Sequence, residues 1–189
     1  MDTKPLGNEI DFCPACGEAV STAQPDGDNK LRYVCTACNA IHYENPKIVV
    51  GCVPEFKGRI LLCKRDIEPR RHFWTVPAGF MELGETLDAG AARETREEAC
   101  AEIEIGELLA VVDVVHARQV HVFFTASMIS DAFAAGEETS DARLFTPADI
   151  PWDEIAFPSG TIALKEWLKW QESGEKRVCF TSAPRIPAL

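Results

Sequence analysis

The segments Gly79-Phe80-Met81-Glu82-Leu83-Gly84-Glu85 and Arg93-Glu94-Thr95-Arg96-Glu97-Glu98 decide the fold of this chain. The second segment lies in a stretch that lacks proline and is rich in Ala, Glu and Arg, which favours a helix. On a helix, Glu94 and Glu98 are four residues apart and Glu97 is three residues from Glu94, so their side chains share one face. The sequence therefore predicts a helix with three carboxylates on one face, preceded by a glycine-rich loop.

Carboxylates so close on a helix repel one another, by a few tenths of a kcal/mol per pair in water (roughly). A hard divalent cation such as Mg²⁺ prefers oxygen ligands and would turn that repulsion into binding. Bound there, it would neutralise a diphosphate, activate a water and stabilise the leaving phosphate. The alternative is a solvated acidic face with Arg93 and Arg96 as local partners. Gly79 and Gly84 favour the metal site because they let the loop fold back over the helix, where Glu85 would pair with Arg93.

Four of the eight cysteines form two pairs, Cys13/Cys16 and Cys35/Cys38, separated by eighteen residues. Two such Cys-x2-Cys hooks place four thiolates around one Zn²⁺ in a closed, structural site. A unit of this size is too small to fold on its own core, so the metal would supply its stability. The alternative is two redox or disulfide pairs, which the spacing and the expected reducing environment disfavour.

Length and composition indicate one sizeable α/β domain with a small appendage, because the chain has 189 residues of which 46% are hydrophobic. Asn45-Pro46 interrupts the chain, so we predict an N-terminal tail and zinc ribbon at 1–44 and the main domain at 45–189. Strands alternating with helices favour the α/β class. The predicted elements are strands at 48–53, 60–63, 108–115 and 120–128, turns at 57–59 and near Arg118, a loop at 66–85, and helices at 86–100 and 162–171.

The net charge of −11 disfavours sequence-independent binding to nucleic acid, whose backbone is also anionic. An anionic small-molecule substrate would likewise need cations to bridge it to the protein. No apolar stretch is long enough to span a bilayer, and the acidic N-terminus lacks the features of a secretory signal. We therefore expect a cytoplasmic protein without membrane contact.

Six residues in this region resemble the Nudix box, Gly-x5-Glu-x7-Arg-Glu-U-x-Glu-Glu-x-Gly-U, where U is a bulky apolar residue. They match it in register and are Gly79, Glu85, Arg93, Glu94, Glu97 and Glu98. Three positions depart from the pattern: Thr95, Cys100 and Ala101. None of these removes a charged residue, so we expect activity to survive. Cys100 replaces a glycine that normally ends the helix with positive φ, at a cost of about 1 kcal/mol if that conformation persists.

The resemblance extends over roughly residues 12–170. The ribbon, the segment 41–47, the Trp74-x2-Pro77-Ala78-Gly79 approach and Arg143-Leu144-Phe145 are similar to Nudix hydrolases with an N-terminal zinc ribbon, a subgroup that includes ADP-ribose and FAD pyrophosphatases. The resemblance implies an α/β/α sandwich with a mixed sheet, a homodimer, and hydrolysis of a nucleoside diphosphate derivative to AMP and a phosphorylated product. NADH is disfavoured, because residues 112–128 contain no Ser-Gln-Pro-Trp-Pro-Phe-Pro run.

The resemblance also implies which residues act. Catalysis is expected in the box residues Glu85, Arg93, Glu94, Glu97 and Glu98. The Mg²⁺ or Mn²⁺ ligands would be Glu94 and Glu98, with Glu97 close by and the Ala78 carbonyl contributing. Family members often add an acid that precedes a later strand, for which Glu138 and Asp141 are the candidates. A solvated acidic loop is the alternative for these two residues.

Three residues before the box are candidates for substrate binding. Arg65 and Arg71 belong to a basic segment that would meet substrate phosphates, although exposed basic residues are more often simply solvated. Trp74 would stack on an adenine or flavin ring, or else pack in the core beside the box.

Two other functions are compatible with the same residues. The first is a non-catalytic module in which a Nudix fold senses a ligand and the ribbon serves as a contact. The second is an enzyme that cleanses the pool of nucleoside triphosphates. Specificity lies in loops outside the box, so turnover of a substrate panel separates these possibilities.

Overall fold

The computed structural model describes residue 5 and residues 8–185, and the chain divides between Pro46 and Lys47 into two compact units. The first unit contains a three-stranded antiparallel sheet in the order β1-β2-β3. Its strands are β1 (Val20–Ala23), β2 (Arg32–Cys35) and β3 (Ile41–His42). Of the four paired cysteines in this unit, Cys35 ends β2, Cys38 lies between β2 and β3, and Cys13 and Cys16 precede β1.

The second unit is built on an eight-stranded mixed sheet. Its elements are β4 (Lys47–Phe56), β5 (Arg59–Arg65), β6 (Trp74–Thr75), β7 (Ala78–Phe80), α1 (Leu87–Ala99), β8 (Ile103–Val114), β9 (Gln119–Met128), β10 (Thr139–Phe145), α2 (Pro158–Ser173) and β11 (Cys179–Ser182), with short 3-10 turns at Val115–Ala117, Pro147–Asp149 and Trp152–Glu154. The main strand order is β10-β5-β4-β9-β8-β11, with β6 paired to β5 and β7 to β4. The pairs β4–β9 and β8–β11 are parallel, and the others are antiparallel.

The two helices cover opposite faces of this sheet. Successive side chains of a strand point to opposite faces, and β4 follows this rule closely. Val50 and Cys52 pack in one buried cluster with Ala91 of α1, whereas Val53 packs in another with Leu164 of α2. Val50 and Cys52 are two positions apart on β4 and share one face, whereas Val53 directly follows Cys52 and points to the other face. The α/β/α sandwich with a mixed sheet that the resemblance implied is confirmed.

Helix α1 begins and ends where its capping residues require. Thr86 has an extended backbone, and its hydroxyl accepts a 3.4 Å hydrogen bond from the amide of Ala89, as an N-cap residue does. Cys100 ends the helix in the left-handed region with φ 48°, and its amide donates to the Arg96 carbonyl at 3.0 Å. The conformation that favours glycine therefore persists although the residue is cysteine.

The other two departures from the box pattern are accommodated by packing. Thr95 is fully buried, and its hydroxyl donates to the Ala91 carbonyl at 2.9 Å while lying 3.2 Å from the Cys52 sulfur. A buried hydroxyl with a hydrogen-bond partner avoids most of the desolvation penalty. Ala101 is also buried, in a cluster with Ala99, so a small apolar side chain fills the position.

The predicted elements of the second unit are present, with shifted ends. The turn at 57–59 is a two-residue hairpin loop in which Lys57 and Gly58 both have positive φ, the geometry that matches strand twist. The region 66–85, predicted as loop, also contains the short strands β6 and β7. The strands β10 and β11 were not among the predicted elements. β11 is short and mostly exposed, and it pairs in parallel with β8.

None of the helices in the described part of the chain has the length and apolar character needed to cross a membrane.

Substitution of Cys100 by glycine should stabilise the protein, because glycine adopts φ 48° without the strain that a Cβ causes. We expect Cys100→Gly to raise the free energy of unfolding by about 1 kcal/mol in urea denaturation. Cys100→Ala removes the sulfur and keeps the Cβ, so it should bring no such gain. Equal stabilisation by both substitutions would show that the thiol, and not the backbone, carries the cost.

Candidate active site

The helix α1 presents Glu94 and Glu98 to the interior, where both are more than 90% buried. The loop before the helix reaches them because Gly79 has no side chain. A Cβ at Gly79 would lie 2.3 Å from a carboxylate oxygen of Glu94, closer than any real contact. A side chain at this position would have to displace the Glu94 carboxylate, so the glycine is favoured here by close approach and not by its φ, which is not in the left-handed region. Glycine at this position brings the Glu94 carboxylate directly against β7.

Arg93 organises the loop and the helix around its guanidinium. Its Nε and Nη2 donate to the two oxygens of Glu85 at 3.1 and 2.8 Å, a bidentate pair. Its Nη1 donates to Glu94 at 2.7 Å and to Glu97 at 2.9 Å, and Nη2 also donates to the Phe80 carbonyl at 3.0 Å. The Arg93 pairing lowers the pKa of Glu85 to about 2. The predicted bracing of Glu85 against Arg93 is present.

Glu98 lies in a different electrostatic setting. Its Oε2 accepts a 3.1 Å hydrogen bond from the amide of Ala78 and makes no ion pair with Arg93. Burial raises the pKa of Glu98 to about 8, an effect that the Ala78 amide opposes and the neighbouring Glu94 charge reinforces. Burial also raises the pKa of Glu94. Two buried carboxylates on successive turns of α1 therefore lack full compensation for their charges.

The chemistry of this donor set fits a hard divalent cation. The groups are oxygen donors, they are buried, and a cation would offset the cost of their negative charges. Within the described part of the chain, the four ribbon cysteines are the one group of three or more potential metal ligands whose atoms all lie within 4.8 Å of one another. The glutamates do not converge as tightly, since Arg93 holds Glu94 and Glu97.

The two candidates for an acid beyond the box differ in position. Glu138 directly precedes β10, lines the same cavity as Glu94 and Glu98, and its charge contributes to the raised pKa of both. Asp141 lies within β10, opposite Lys64, and its carboxylate pairs with Arg143 at 2.5 Å. Asp141 is not among the residues that line the cavity. The register of β10 thus separates two acids that are only three residues apart.

The cavity beside α1 has a volume of 1020 Å³, large enough for a nucleotide. Arg65 lines it, with its Nε donating to the Pro69 carbonyl at 2.9 Å and its guanidinium 5.1 Å from the ring centre of Phe157. Phe157 also lines the cavity and was not singled out in the sequence.

The other two predicted substrate-binding residues lie outside the cavity lining. Arg71 pairs with Asp66 at 2.8 Å on the surface. Trp74 is 4% exposed and packs edge-on against Phe145 in the core, with ring centres 4.9 Å apart. Trp74 therefore packs in the core, which was the alternative to stacking on a substrate ring.

The ribbon cysteines are arranged as a tetrahedral metal would need. Sulfur–sulfur distances are 3.5 Å for Cys16–Cys35, 3.6 Å for Cys16–Cys38 and 3.8 Å for Cys13–Cys38. Four Zn–S bonds of about 2.3 Å in a tetrahedron place the sulfurs about 3.8 Å apart. Backbone amides of Cys38 and Ala37 donate to the Cys35 sulfur at 3.4 Å and lower its pKa to about 6, which favours the thiolate.

Two family models match the chain. The model described as Nudix N-terminal matches residues 11–44, and the model described as NUDIX domain matches residues 45–171.

Individual relatives point the same way. An ADP-ribose pyrophosphatase of Methanocaldococcus jannaschii is 27% identical over 133 residues, covering 68% of this chain and 77% of that protein. A NAD-capped RNA hydrolase NudC of Vibrio vulnificus is 32% identical over 163 residues, covering 80% of this chain and 56% of that protein, so the chain spans little more than half of its length. A crystal structure of a Nudix hydrolase from Nitrosomonas europaea matches with a TM-score of 0.86 and 44% identity, covering 92% of this chain and 99% of that one.

Proposed function

The chain belongs to the Nudix family and is a pyrophosphohydrolase, and we propose that its substrate is a nucleoside diphosphate linked to a second moiety, ADP-ribose or FAD. Hydrolysis adds one water across the P–O–P anhydride and releases AMP and a second phosphorylated product. The observation that carries this proposal is the buried pair Glu94 and Glu98 at the wall of a nucleotide-sized cavity.

We propose that Glu94 and Glu98 hold Mg²⁺ or Mn²⁺, with Glu97, Glu138 and the Ala78 carbonyl completing the site. The bound metal would neutralise the diphosphate and activate the attacking water. Arg93 positions Glu94 and Glu97, and Glu85 positions Arg93 through its bidentate pair. Asp141 is left out of this ligand set because its carboxylate pairs with Arg143 away from the cavity lining.

Support for a dinucleotide-like substrate comes from the size of the cavity and from the presence of Arg65 in its wall. The Arg65 guanidinium lies in the wall of the cavity that Glu94 and Glu98 also line, where it would bind a phosphate of the substrate. The relative from Methanocaldococcus jannaschii is named an ADP-ribose pyrophosphatase, which fits this class. Arg71 and Trp74 do not enter the proposal, because the first pairs with Asp66 and the second packs in the core.

A second candidate substrate is the NAD cap of an RNA, because the Vibrio vulnificus relative is named for that reaction. The net charge of −11 and the lack of the Ser-Gln-Pro-Trp-Pro-Phe-Pro run favour a free nucleotide.

For the ribbon we propose one structural Zn²⁺ held by Cys13, Cys16, Cys35 and Cys38. We also propose a homodimer acting in the cytoplasm on a small-molecule substrate.

A substrate panel tests the proposed reaction. We expect the pure protein with Mg²⁺ or Mn²⁺ to release AMP from ADP-ribose or FAD with a higher kcat/KM than from NADH, dinucleoside polyphosphates, nucleoside triphosphates or NAD-capped RNA, with products identified by chromatography. The expected preference over nucleoside triphosphates follows from the size of the cavity, about 1020 Å³. The expected preference over NADH and NAD-capped RNA follows from the lack of the Ser-Gln-Pro-Trp-Pro-Phe-Pro run and from the net charge of −11. A clear preference for triphosphates or capped RNA would contradict the proposal, and absence of any turnover would favour the ligand-sensing alternative.

Substitution of Glu98 by glutamine tests its assignment as a ligand. Glu98→Gln keeps the shape and removes the charge, so we expect kcat to fall by at least about 100-fold. Thermal stability should be kept, since the substitution removes a buried charge. The matched control is Glu104→Gln, at an exposed position of β8, which should leave kcat unchanged. Wild-type turnover by Glu98→Gln would refute the role.

The zinc proposal is tested by metal content and local protection. We expect about one Zn²⁺ per chain by atomic emission, and its loss in Cys16→Ser should expose the backbone amides of residues 12–43 to hydrogen exchange while those of the second unit stay protected. Cys179→Ser, which changes a cysteine outside the ribbon, should keep the metal. A wild-type protein that lacks zinc after expression in zinc-supplemented medium, with unchanged protection of the ribbon, would overturn the proposal.

A further inference from the structure

Three polar side chains that make no hydrogen bond to a box residue form a chain of hydrogen bonds in the wall of the same cavity. His121 on β9 lies with its Nδ1 2.9 Å from the Ser159 hydroxyl on α2 and its Nε2 2.9 Å from the Gln119 side-chain oxygen. His121 and Ser159 are buried, whereas Gln119 is half-buried. All three residues line the cavity.

The side-chain oxygen of Gln119 determines which atoms donate and which accept in this chain of hydrogen bonds. The amide oxygen of Gln119 only accepts, so Nε2 of His121 must carry the proton and donate to it. Burial lowers the pKa of His121 to about 4, which keeps the ring neutral at physiological pH. A neutral ring with a protonated Nε2 has an accepting Nδ1, so the Ser159 hydroxyl donates to it. The chain therefore runs from Ser159 through His121 to Gln119.

The consequence concerns the other end of the Gln119 amide. Its oxygen is held by His121, so the orientation of the group is determined. Its nitrogen makes no hydrogen bond with another residue of the described chain, and it is not among the buried atoms left without a partner. The amide thus presents its two N–H donors to its accessible side, while its oxygen is engaged by His121.

The surroundings of this group differ from those of the glutamates. The charged residues that line the cavity come from α1, the loop before it, the loop between β9 and β10, and β5 with the loop after it. Among the described lining residues from 114–123 and from 157–183, none is Asp, Glu, Lys or Arg. Val114, Ala117 and Phe123 supply apolar surface there, and Phe157 lies at the boundary, where the Arg65 guanidinium is 5.1 Å from its ring centre. One half of the cavity is charged and the other half is apolar with a few hydrogen-bonding groups.

We propose that Gln119, held in place by His121 and Ser159, donates hydrogen bonds to a ring nitrogen or carbonyl oxygen of the heterocyclic group of the substrate and thereby determines specificity in the uncharged half of the cavity. A flat ring suits apolar walls, and oriented donors select a ring edge that carries acceptors. Gln119 is the contact residue, while His121 and Ser159 are positioning residues. This inference rests on the proposed function, because it takes the substrate to be a nucleotide.

Binding of reaction products tests the inference without turnover. Isothermal titration in Mg²⁺ compares AMP and FMN, which carry a heterocycle, with ribose 5-phosphate, which does not. We expect the wild-type protein to bind AMP or FMN at least about tenfold more tightly than ribose 5-phosphate. Gln119→Glu replaces the donors with acceptors and should lower the affinity for that nucleotide by about tenfold or more, while the affinity for ribose 5-phosphate changes less than about twofold.

Two further variants separate recognition from folding. Gln119→Met keeps the length of the side chain without donors or charge, and it should lose the same discrimination if Gln119→Glu fails to fold. Ser159→Ala keeps the Gln119 side chain but removes one of the two hydrogen bonds that fix His121, which in turn orients Gln119. The preference for the heterocycle should therefore fall by about threefold, with the affinity for ribose 5-phosphate unchanged. Gln171→Glu, the same change at an exposed position of α2, is the matched control and should bind all three ligands as the wild type does.

Two outcomes would overturn the inference: a wild-type protein that binds AMP and FMN no better than ribose 5-phosphate, or folded Gln119 variants that keep the wild-type ratio of affinities. Failure of the proposed function looks different. If ADP-ribose and FAD are not hydrolysed but the Gln119 variants lose nucleotide discrimination, the reaction assignment fails and the recognition site stands.

Discussion

The guanidinium of Arg93 is the group on which the arrangement of the site depends. Its five N–H groups are matched by five hydrogen bonds, two to Glu85, one each to Glu94 and Glu97, and one to the Phe80 carbonyl. The planar guanidinium fixes the directions of its hydrogen bonds as well as supplying a positive charge, whereas the ammonium group of a lysine would supply only the charge. The Arg93 side chain therefore holds the loop before α1 and also two of the three glutamates of α1.

This constraint gives the glutamates of one helix face different properties. Glu97 is exposed and pairs with Arg93, whereas Glu98 faces the interior, accepts from the Ala78 amide and has a pKa raised to about 8 by burial. Proximity on the helix follows from its period of 3.6 residues, but burial follows from β4 and β7 packing against the helix. The buried carboxylates are the groups for which a divalent cation brings the largest gain, because water does not compensate their charge.

Much of the fold and the site was predictable from local pattern. The box residues, the helix and the cysteine pairs depend on spacing along the chain, which the sequence displays directly. Arg71 and Trp74 show what such a pattern does not determine. An exposed arginine and a tryptophan near the box both fit a substrate site by residue type. In the fold, however, Arg71 forms an ion pair with Asp66, and Trp74 packs against Phe145. Those partners come together only in the folded chain.

By itself the sequence determined that four cysteines occur in two hooks and that three glutamates share a helix face with Arg93 beside them, because helical period and short spacings are local properties. Only the tertiary structure decided that Glu138 and not Asp141 lines the cavity, since this depends on the register of β10 against β5. It also decided the contact between His121 and Ser159, which are 38 residues apart. No local pattern predicts that contact, because it needs α2 to pack on the face of the sheet to which the His121 side chain points.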